Sequence, residues 1–466
     1  MTPNGEKQTM DSLATDPDGD AIKHMFLDFM QMQEFAKHPI IMKKAQGIWY
    51  EDVNGKKYLD GLSGVFVVNV GHGNRRVIEA MKKQLDELTF APPLHSTNMR
   101  AIELVKLIAS ITPGDLHTVK LLSGGSEATE AAMKLARQYH RQTGNPHKYK
   151  VISRYEGYHG ATIGALAASG VTSRRTTFEP LPGGYIHVFP PTCYRCPYGL
   201  EYPECAVLCA RIVEDVIKRE DPATVSSIIL EPIGNTGGII TPPQEYFQIL
   251  REISDKYNVL LIFDEIITGF GRTGQMFAAQ TFKTTPDIIC MGKGMSSGYS
   301  PVGGLAFSDK IADAFYGDQS KGVQFNHGHT FGGNPLSSAA ALASISEIKE
   351  RKLAQAATDI GARIWKRIGE LDNLGVIGDV RGKGLIVGVE FVRDRKKKES
   401  FPSEVGFGVR VGRLALEKGL IMRADPNWVA LAPPLVMSAE EADRMMDIFS
   451  SCVTEVTKSV GTGLAT

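Results

Sequence analysis

The feature that most constrains the fold is a regular alternation of strand-like and helix-like segments through the middle of the chain. Segment 259–263 is short and wholly apolar, which suits a strand buried on both faces of a sheet. This rhythm predicts an α/β fold with a mainly parallel sheet, helices on both sides, and ligands beyond the carboxyl ends of the strands. The strands are predicted at 118–122, 150–153, 226–230, 259–263 and 287–290, and the helices at 126–141, 206–219 and 246–257.

The two ends of the chain depart from this rhythm. Near the N-terminus, Asn54-Gly55 separates two strand-like runs, which is a strong hairpin signal. Beyond Pro335 a long helical stretch is followed by further strands and by a last helix, which begins at Ser438 with a capping-box pattern. We expect this C-terminal part to form a second, α+β domain. Its helical stretch is predicted at 337–371 and its strands at 376–380 and 385–391.

Composition argues against several classes of function. The chain has 52 Lys plus Arg and 52 Asp plus Glu, so general electrostatic binding of nucleic acid or of an anionic membrane is not expected. No apolar run approaches the roughly 18 residues that span a bilayer. Residues 1–20 are polar and lack an apolar signal-peptide core, so we expect a mobile N-terminal arm and a cytoplasmic protein.

Lys293 is the first candidate for chemistry. It is flanked by two glycines and follows a predicted strand, which places it at the edge of the sheet where ligands bind. Two interpretations remain open from the residues alone. It is either a surface lysine in a turn, or a Schiff-base lysine whose amine is partly desolvated so that it is nucleophilic.

Asp264 closes the apolar strand that precedes it. A carboxylate in that position is costly unless it is paired, so Asp264 either caps a neighbouring helix or faces a cationic ring nitrogen. If extended backbone continues as far as Ile266, the side chains of Asp264 and Ile266 point to the same face. Asp264 would then hold the ring nitrogen while Ile266 packs beneath the ring.

The loop Ser123-Gly-Gly-Ser-Glu127 joins a predicted strand to the start of a helix. Glycines let the backbone approach a ligand closely, and a helix N-terminus offers free N–H groups to an anion. The alternative is a simple glycine-rich turn with a serine cap. The loop does not have the G-x-G-x-x-G pattern, and G-x-x-x-x-G-K-[ST] does not occur, which lowers the expectation of NAD or ATP as ligand.

Several ordered motifs together resemble one family. The chain is similar to the class III aminotransferases, pyridoxal-phosphate enzymes of fold type I, from about Gly47 to the final helix. The matching segments are Tyr58-Leu-Asp-Gly61, Ser123-Gly-Gly-Ser-Glu-Ala128, Tyr155-Glu-Gly-Tyr-His-Gly160, Glu231-Pro232, Asp264-Glu-Ile-Ile-Thr-Gly-Phe-Gly-Arg-Thr-Gly274, Gly292-Lys293-Gly294, His329-Thr-Phe-Gly-Gly-Asn-Pro335 and Ala432-Pro-Pro434.

The resemblance implies a catalytic role for Lys293 and Asp264. Lys293 would hold pyridoxal 5'-phosphate as an internal aldimine and then carry the proton between the substrate and cofactor carbons. Asp264 would keep the pyridine nitrogen protonated, so that the ring accepts electrons. Tyr158 would stack on one face of the ring and Ile266 on the other. The implied reaction is amino transfer with ping-pong kinetics.

The resemblance also implies the phosphate site, the assembly and the domains. Gly125 and Ser126 would bind the cofactor phosphate, and Thr330 would reach the phosphate of the neighbouring subunit, which implies a homodimer with shared sites. A tetramer of such dimers is left open. Glu231 would support the cofactor site from behind, and His159 receives no role. The fold would have a large domain with a seven-stranded sheet and a smaller α+β domain. The implied segments are an arm at 1–20, small-domain segments at 21–70 and 336–466, and a large cofactor-binding domain at 71–335.

Two departures from the glutamate-using members of the family bear on the substrate. Those members resemble E-P-I-x-x-E where this chain has Thr236 in the last position, and ornithine aminotransferase has an arginine where this chain has Ala430. Arg423 matches the mobile arginine of the ω-amino-acid and amine:pyruvate transaminases, and Phe66 matches an aromatic position of their substrate pocket. The alternative interpretation of Arg423 is a solvated surface residue, and that of Phe66 is an ordinary core residue. We therefore expect pyruvate as acceptor and an ω-amino acid or primary amine as donor.

Four of the six cysteines form one cluster in a loop, and their spacing is only roughly that of a zinc site. We expect free thiols packed in a loop, with a structural metal or a disulfide as the alternatives. The cysteines are Cys193, Cys196, Cys205 and Cys209.

Other activities share the same apparatus. A glutamate-using aminotransferase, a decarboxylase, an amino-group mutase or a racemase would all need Lys293 and Asp264. A silent binding or scaffold protein on this fold would not need Lys293, Asp264 and the phosphate loop together, so their presence argues against it.

Overall fold

The structure is a computed structural model that describes residues 24–463, and these residues form three sheets. The first sheet consists of β1 (Met42–Gln46), β2 (Trp49–Asp52), β3 (Lys57–Asp60) and β13 (Leu420–Ile421). The central sheet consists of β4 (Thr118–Leu122), β5 (Lys150–Arg154), β6 (Tyr185–Val188), β7 (Val225–Leu230), β8 (Leu260–Asp264), β9 (Ile288–Met291) and β10 (Gly303–Phe307). The third consists of β11 (Ile377–Lys383), β12 (Ile386–Phe391), β14 (Arg423–Asp425) and β15 (Trp428–Leu431).

The central sheet confirms the predicted α/β class. Its strands lie in the order β4-β10-β9-β8-β7-β5-β6, and β10 runs antiparallel to the other six strands of this sheet. β7, β8 and β9 are buried along their whole length, as their apolar sequences predict. β6 and β10 lie outside the predicted strands. In β10, Gly303 and Gly304 lower the strand propensity and hide the pattern.

Helices cover both faces of this sheet, as the alternation predicts. In β8, Leu260 and Ile262 pack on the face covered by α5 (Gly125–Gln142). Phe263 packs on the opposite face, covered by α9 (Tyr246–Tyr257), where its ring lies 4.9 Å from that of Phe247. The α-helices are α1 (Met32–Lys37), α2 (Ser63–Phe66), α3 (Arg75–Glu87), α4 (Met99–Ala109), α5 (Gly125–Gln142), α6 (Ile163–Ala168), α7 (Thr172–Arg175), α8 (Leu208–Arg219), α9 (Tyr246–Tyr257), α10 (Ala278–Thr281), α11 (Asp309–Asp313), α12 (Pro335–Glu350), α13 (Leu353–Gly369), α14 (Phe407–Glu417) and α15 (Ala439–Gly463).

The terminal regions also follow most of the predictions. The hairpin at Asn54-Gly55 is confirmed, because β2 and β3 pair antiparallel on either side of it. The helical stretch predicted at 337–371 is wrong as one helix, since Lys352 adopts a left-handed conformation with φ 53° and separates α12 from α13. The capping box at Ser438 is confirmed by the bond from the Glu441 amide to Ser438 Oγ at 3.2 Å.

β13 joins the N-terminal sheet by pairing parallel with β3, so segments from both ends of the chain meet in one sheet. This pairing supports the division into segments 21–70, 71–335 and 336–466, which we keep as a proposal. The arm predicted at 1–20 lies outside the described residues. Among residues 24–463, no helix combines the length and the apolar character needed to cross a bilayer.

Candidate active site

A cleft lies beyond the carboxyl ends of β4, β5, β7, β8 and β9, which meet at one edge of the central sheet. Most of the predicted site residues line this cleft together, although they come from distant parts of the sequence. Its lining consists of Gly125, Ser126, Tyr158, His159, Gly160, Glu231, Asp264, Ile266, Ile267 and Lys293. Phe66, Thr330 and Arg423 are predicted site residues that do not line it.

Lys293 begins a 3₁₀ turn, Lys293–Met295, directly after β9. Its φ is 40°, a left-handed conformation that is unusual for a residue with a side chain. Burial lowers the pKa of the Lys293 ammonium, and the charges of Asp264 and Glu231 oppose that shift. A lowered pKa favours the neutral, nucleophilic amine, so this environment fits the Schiff-base interpretation rather than a surface lysine.

Asp264 is the last residue of β8 and is only 4 % exposed. Its Oδ1 accepts the backbone N–H of Ile266 at 3.2 Å, and its Oδ2 lies 2.8 Å from Nδ1 of His159. The extended path assumed for Ile266 is wrong, because the strand ends at Asp264 and the backbone turns. Asp264 and Ile266 nevertheless both line the cleft, since the turn brings Ile266 back over it.

The loop between β4 and α5 is a candidate anion site, and we call its residues Gly124, Gly125 and Ser126 the anion cradle. Gly124 is the N-cap of α5 and no side chain caps the helix, so the first N–H groups remain available to an anion. This corrects the serine-cap alternative. A Cβ on Gly125 would lie 2.9 Å from Cδ1 of Ile266, so a larger residue there would displace the Ile266 side chain.

Gly160 holds the other side of the cradle. Its φ is 141°, and a Cβ there would lie 2.9 Å from Cα of Ser126 and 2.8 Å from Cβ of Ala165. The hydroxyl of Ser126 accepts the backbone N–H of Ala161 at 3.1 Å. The segment after Tyr158 therefore fixes Ser126 from outside the helix.

Tyr158 and Glu231 connect two loops of the cleft. Glu231 accepts the backbone N–H of Tyr158 at 2.9 Å with one oxygen and that of Asn235 at 3.2 Å with the other. The Tyr158 ring is covered by the guanidinium of Arg174 at 4.9 Å. Burial raises the pKa of Tyr158, and Arg174 opposes that rise. Glu231 thus orders the loop that carries Tyr158.

His159 is a site residue to which the sequence assigns no role. It is 2 % exposed, and its second ring nitrogen, Nε2, has no hydrogen-bond partner. Only the fold reveals its partner, because Asp264 is 105 residues away in the chain. The Tyr-His-Gly motif is only a weak signal that His159 belongs to the site, since it shows His159 next to Tyr158 in the chain but gives no sign of its contact with Asp264.

Arg423 is the first residue of β14. Its Nε is 3.0 Å from Oδ2 of Asp425, and its guanidinium stacks 4.6 Å from the Trp428 ring. In the strand register, Arg423 is directly opposite Ala430 on β15. Paired residues on neighbouring antiparallel strands present their side chains on the same face. Arg423 therefore occupies the place next to the position where ornithine aminotransferase would have its arginine.

Phe66 and Thr330 do not line the cleft within this single chain. Phe66 is 2 % exposed and belongs to the apolar core. Thr330 is exposed in a turn next to Phe331, whose side chain is 60 % exposed. The pocket role of Phe66 and the phosphate role of Thr330 stay predictions.

Thr236 is buried, and its hydroxyl donates to the backbone carbonyl of Glu156. It is followed by Gly237 and Gly238, and a Cβ on Gly238 would lie 3.2 Å from the Trp428 ring. The segment that starts at Glu231 therefore runs from the cleft to the aromatic ring beneath Arg423.

The four loop cysteines, Cys193, Cys196, Cys205 and Cys209, line one small cavity away from the cleft. All six cysteines of the chain are free thiols. In the described part of the chain, no group of three or more His, Cys, Asp or Glu side chains is arranged to hold a metal ion. Burial raises the pKa of the Cys209 thiol to about 12. Packed free thiols remain our prediction.

Comparisons with known proteins identify the family of the chain. The family model "Aminotransferase class-III" matches residues 31–453. The chain is 36 % identical over 438 residues to the adenosylmethionine-8-amino-7-oxononanoate aminotransferase of Geobacter sulfurreducens, which covers 93 % of this chain and 96 % of that one. It is 33 % identical over 438 residues to the putrescine–pyruvate aminotransferase of Pseudomonas aeruginosa, over 93 % and 94 % of the two chains.

A solved structure is similar as well. The (S)-enantioselective omega-transaminase of Thermomicrobium roseum superposes with a TM-score of 0.89 at 36 % identity and covers 94 % of this chain and 98 % of that one. Both the sequence and the fold therefore match over nearly the whole chain. The chain belongs to the class III aminotransferases, enzymes that depend on pyridoxal 5'-phosphate.

Proposed function

We propose that this chain transfers the amino group of an ω-amino acid or a primary amine to pyruvate by a ping-pong mechanism. In this proposal pyridoxal 5'-phosphate is attached to Lys293, and each active site is shared between two subunits. The observation that carries the proposal is the convergence of Lys293, Asp264 and the anion cradle on one cleft.

The residues of the cleft fit this cofactor in charge and in shape. The free N–H groups at the start of α5 suit a phosphate, and the buried Asp264 suits a protonated pyridine nitrogen. Ile266 and Tyr158 line the space between them and supply apolar and aromatic surface for a flat ring. When bound, pyridoxal phosphate supplies an electron sink that stabilises negative charge on the substrate carbon.

Lys293 is assigned the proton transfer. With the cofactor bound, Lys293 would hold it, and the Lys293 amine would accept the proton that leaves the substrate carbon and return it later. The lowered pKa of Lys293 raises the fraction of amine that is neutral and ready to accept that proton. Asp264 remains in place through the bonds to Ile266 and His159.

Arg423 is assigned the carboxylate of pyruvate or of an ω-amino acid. A guanidinium binds a carboxylate through two parallel hydrogen bonds, and in the free protein Asp425 occupies that role in part. Thr236 and Ala430 replace the groups that would fix a carboxylate in the glutamate-using members. The name of the Pseudomonas aeruginosa protein supports pyruvate as acceptor, and that of the Thermomicrobium roseum protein supports an ω-transaminase.

The substrates are tested by following the visible absorption band of the purified holoenzyme while single compounds are added. We expect β-alanine or a primary amine to bleach the band, and pyruvate but not 2-oxoglutarate to restore it. Bleaching by glutamate with recovery by 2-oxoglutarate would contradict the substrate assignment and place the chain with the glutamate-using members. Loss of carbon dioxide or simple isomerisation of the donor would indicate a decarboxylase, a mutase or a racemase.

The role of Arg423 is tested with Arg423→Met. Hydrogen bonds to a charged group are worth about 1.5–3 kcal/mol, so we expect kcat/KM for pyruvate to fall roughly 10- to 100-fold. The half-reaction with an amine that lacks a carboxylate should change less than about twofold. Arg393→Met is the matched control, because Arg393 forms a surface ion pair with Glu399. Equal losses with both classes of substrate would contradict the assignment.

Exposed apolar side chains support the homodimer. Leu94 is 86 % exposed, and the exposed rings of Phe90 and Phe331 contact edge to face at 6.3 Å. The exposed pair of Phe90 and Phe331, next to Thr330 in the chain, is the kind of apolar surface that a second protein chain covers, and we propose a second copy as that chain. Thr330 would then reach the cleft of that copy.

Shared sites are tested by mixing two inactive or weakened variants, Lys293→Ala and Thr330→Ala. A mixed dimer would contain one site with both Lys293 and the neighbouring Thr330 intact. We expect that site to recover wild-type affinity for pyridoxal phosphate, whereas Thr330→Ala alone should bind about tenfold more weakly. If mixing restores nothing, Thr330 acts within its own chain or not at all.

A further inference from the structure

Several strained residues gather around one buried pair outside the cleft, Arg272 and Asn69. Non-glycine residues with left-handed backbone are rare and persist only where the surrounding structure holds them. The gathered residues and their φ values are Ser63 at 52°, Phe66 at 60°, Phe270 at 59°, Lys293 at 40° and Ser297 at 54°.

Arg272 is fully buried and bonds only neutral groups. Its Nη2 donates to Ser63 Oγ at 2.8 Å and to Asn69 Oδ1 at 2.7 Å. Its Nη1 donates to the backbone carbonyls of Leu385 at 3.0 Å and Pro433 at 2.5 Å. Burial lowers the pKa of Arg272 to about 9, so these hydrogen bonds are needed to stabilise its positive charge in the interior.

Asn69 carries the contact from Arg272 to the turn of Lys293. Its Nδ2 donates to the carbonyl of Phe270 at 2.9 Å, and its backbone N–H donates to Ser297 Oγ at 3.0 Å. Gly294, the residue after Lys293, packs so tightly that a Cβ there would lie 2.3 Å from Asn69 Nδ2. Asn69 therefore touches both ends of the segment from Lys293 to Ser297.

We propose that Arg272 and Asn69 form a clamp that holds the turn of Lys293 in its left-handed conformation and so keeps the reacting amine in the desolvated cleft. Both are positioning residues, since neither lines the cleft. The clamp acts through three contacts of Asn69, with Arg272 fixing its amide oxygen. This inference rests on the proposed function only in taking Lys293 as the reacting amine.

A merely structural role would give a different result. If the clamp only joined the N-terminal segment to the central sheet, its loss would lower stability and leave the chemistry of Lys293 unchanged. If it positions Lys293, its loss lets the turn relax, exposes the amine to water and raises the pKa of Lys293 toward its ordinary value.

The test is pH-dependent acetylation of the cofactor-free protein with acetic anhydride, with the Lys293 peptide quantified by mass spectrometry. Only the neutral amine reacts, so the midpoint of the pH profile reports the pKa of Lys293, whereas accessibility changes only the plateau. We expect Asn69→Ala to raise that midpoint by about one unit, which is a tenfold smaller neutral fraction below the midpoint. Arg272→Lys should shift it in the same direction.

Gln84→Ala is the matched control, because Gln84 is a buried amide that donates to the carbonyl of Leu88, away from Lys293. It should leave the midpoint unchanged. Ser297→Ala removes the same link from the other side and serves if Asn69→Ala does not fold. An unchanged midpoint in a folded Asn69→Ala or Ser297→Ala variant would overturn the clamp. Absence of amino transfer in the wild type would refute the proposed function and leave this comparison intact.

Discussion

Nδ1 of His159 lies 2.8 Å from Oδ2 of Asp264, and both side chains are buried at the base of the cleft. Because an ionised carboxylate only accepts hydrogen bonds, His159 donates to Asp264 from Nδ1. We propose that this bond holds the Asp264 carboxylate in place in the cleft, so that His159 orients Asp264.

Replacing His159 by phenylalanine keeps a ring of similar shape and removes this bond. Loss of a hydrogen bond to a charged group costs about 1.5–3 kcal/mol, so we expect kcat to fall roughly 10- to 100-fold. Half-reaction rates followed through the visible band provide the measurement. His117→Phe is the control, because His117 forms an exposed pair with Asp309 at 3.1 Å. A His159→Phe enzyme as fast as the control would remove His159 from the account.

Gly160→Ala should weaken the cofactor site through packing. The added Cβ would press on Ser126 and Ala165, and the φ of 141° is unfavourable for alanine. We expect a loss of about 1–3 kcal/mol in the free energy of unfolding and weaker binding of pyridoxal phosphate. Gly183→Ala is the control, since nothing lies within 4 Å of a Cβ at that position. Urea unfolding of the cofactor-free proteins and titration with the cofactor measure the two effects, and wild-type behaviour of Gly160→Ala would contradict the packing argument.

The free energy of unfolding should fall in mild acid because of the buried His140. It is fully buried, its Nε2 lies 2.9 Å from the carbonyl of Ser226, and burial lowers its pKa from 6.5 to about 4. Between those values the unfolded chain takes up a proton that the folded chain does not, so stability rises with pH. The contribution of His140 is complete above pH 6.5 and is lost as the pH falls toward 4, up to about 3 kcal/mol.

The measurement is urea unfolding at pH 7, 6 and 5 for the wild type and for His140→Gln. We expect the variant to lose less stability between pH 7 and 5 than the wild type does. Equal losses over that range would show that His140 does not carry the acid sensitivity.

Local patterns were sufficient to predict most of the central sheet. The predicted bounds of the apolar strand at 259–263 and of the strands next to it differ from the observed bounds by about one residue at each end. The sequence does not predict β10, because the two glycines at its start are uncommon in strands. It does not predict the break at Lys352 either, because no residue pattern in that helical stretch indicates a lysine with left-handed backbone.

The motifs mark Lys293, Asp264 and the cradle residues Gly125 and Ser126 individually, and the fold brings all four to one cleft, while their roles stay predictions. The motifs do not mark relationships between distant residues. The pairing of His159 with Asp264, the register that sets Arg423 opposite Ala430, and the contact of Asn69 with the Lys293 turn all depend on tertiary packing. Each joins segments whose separation in the chain carries no signal of contact.

The central claim is that Lys293 carries the cofactor and its chemistry. The most direct measurement is borohydride reduction of the purified holoenzyme followed by peptide mapping. We predict one phosphopyridoxyl adduct, on Lys293, and we predict that Lys293→Ala lacks the visible band and loses at least about a hundredfold in turnover. An adduct on another lysine, or full turnover by Lys293→Ala, would contradict the account.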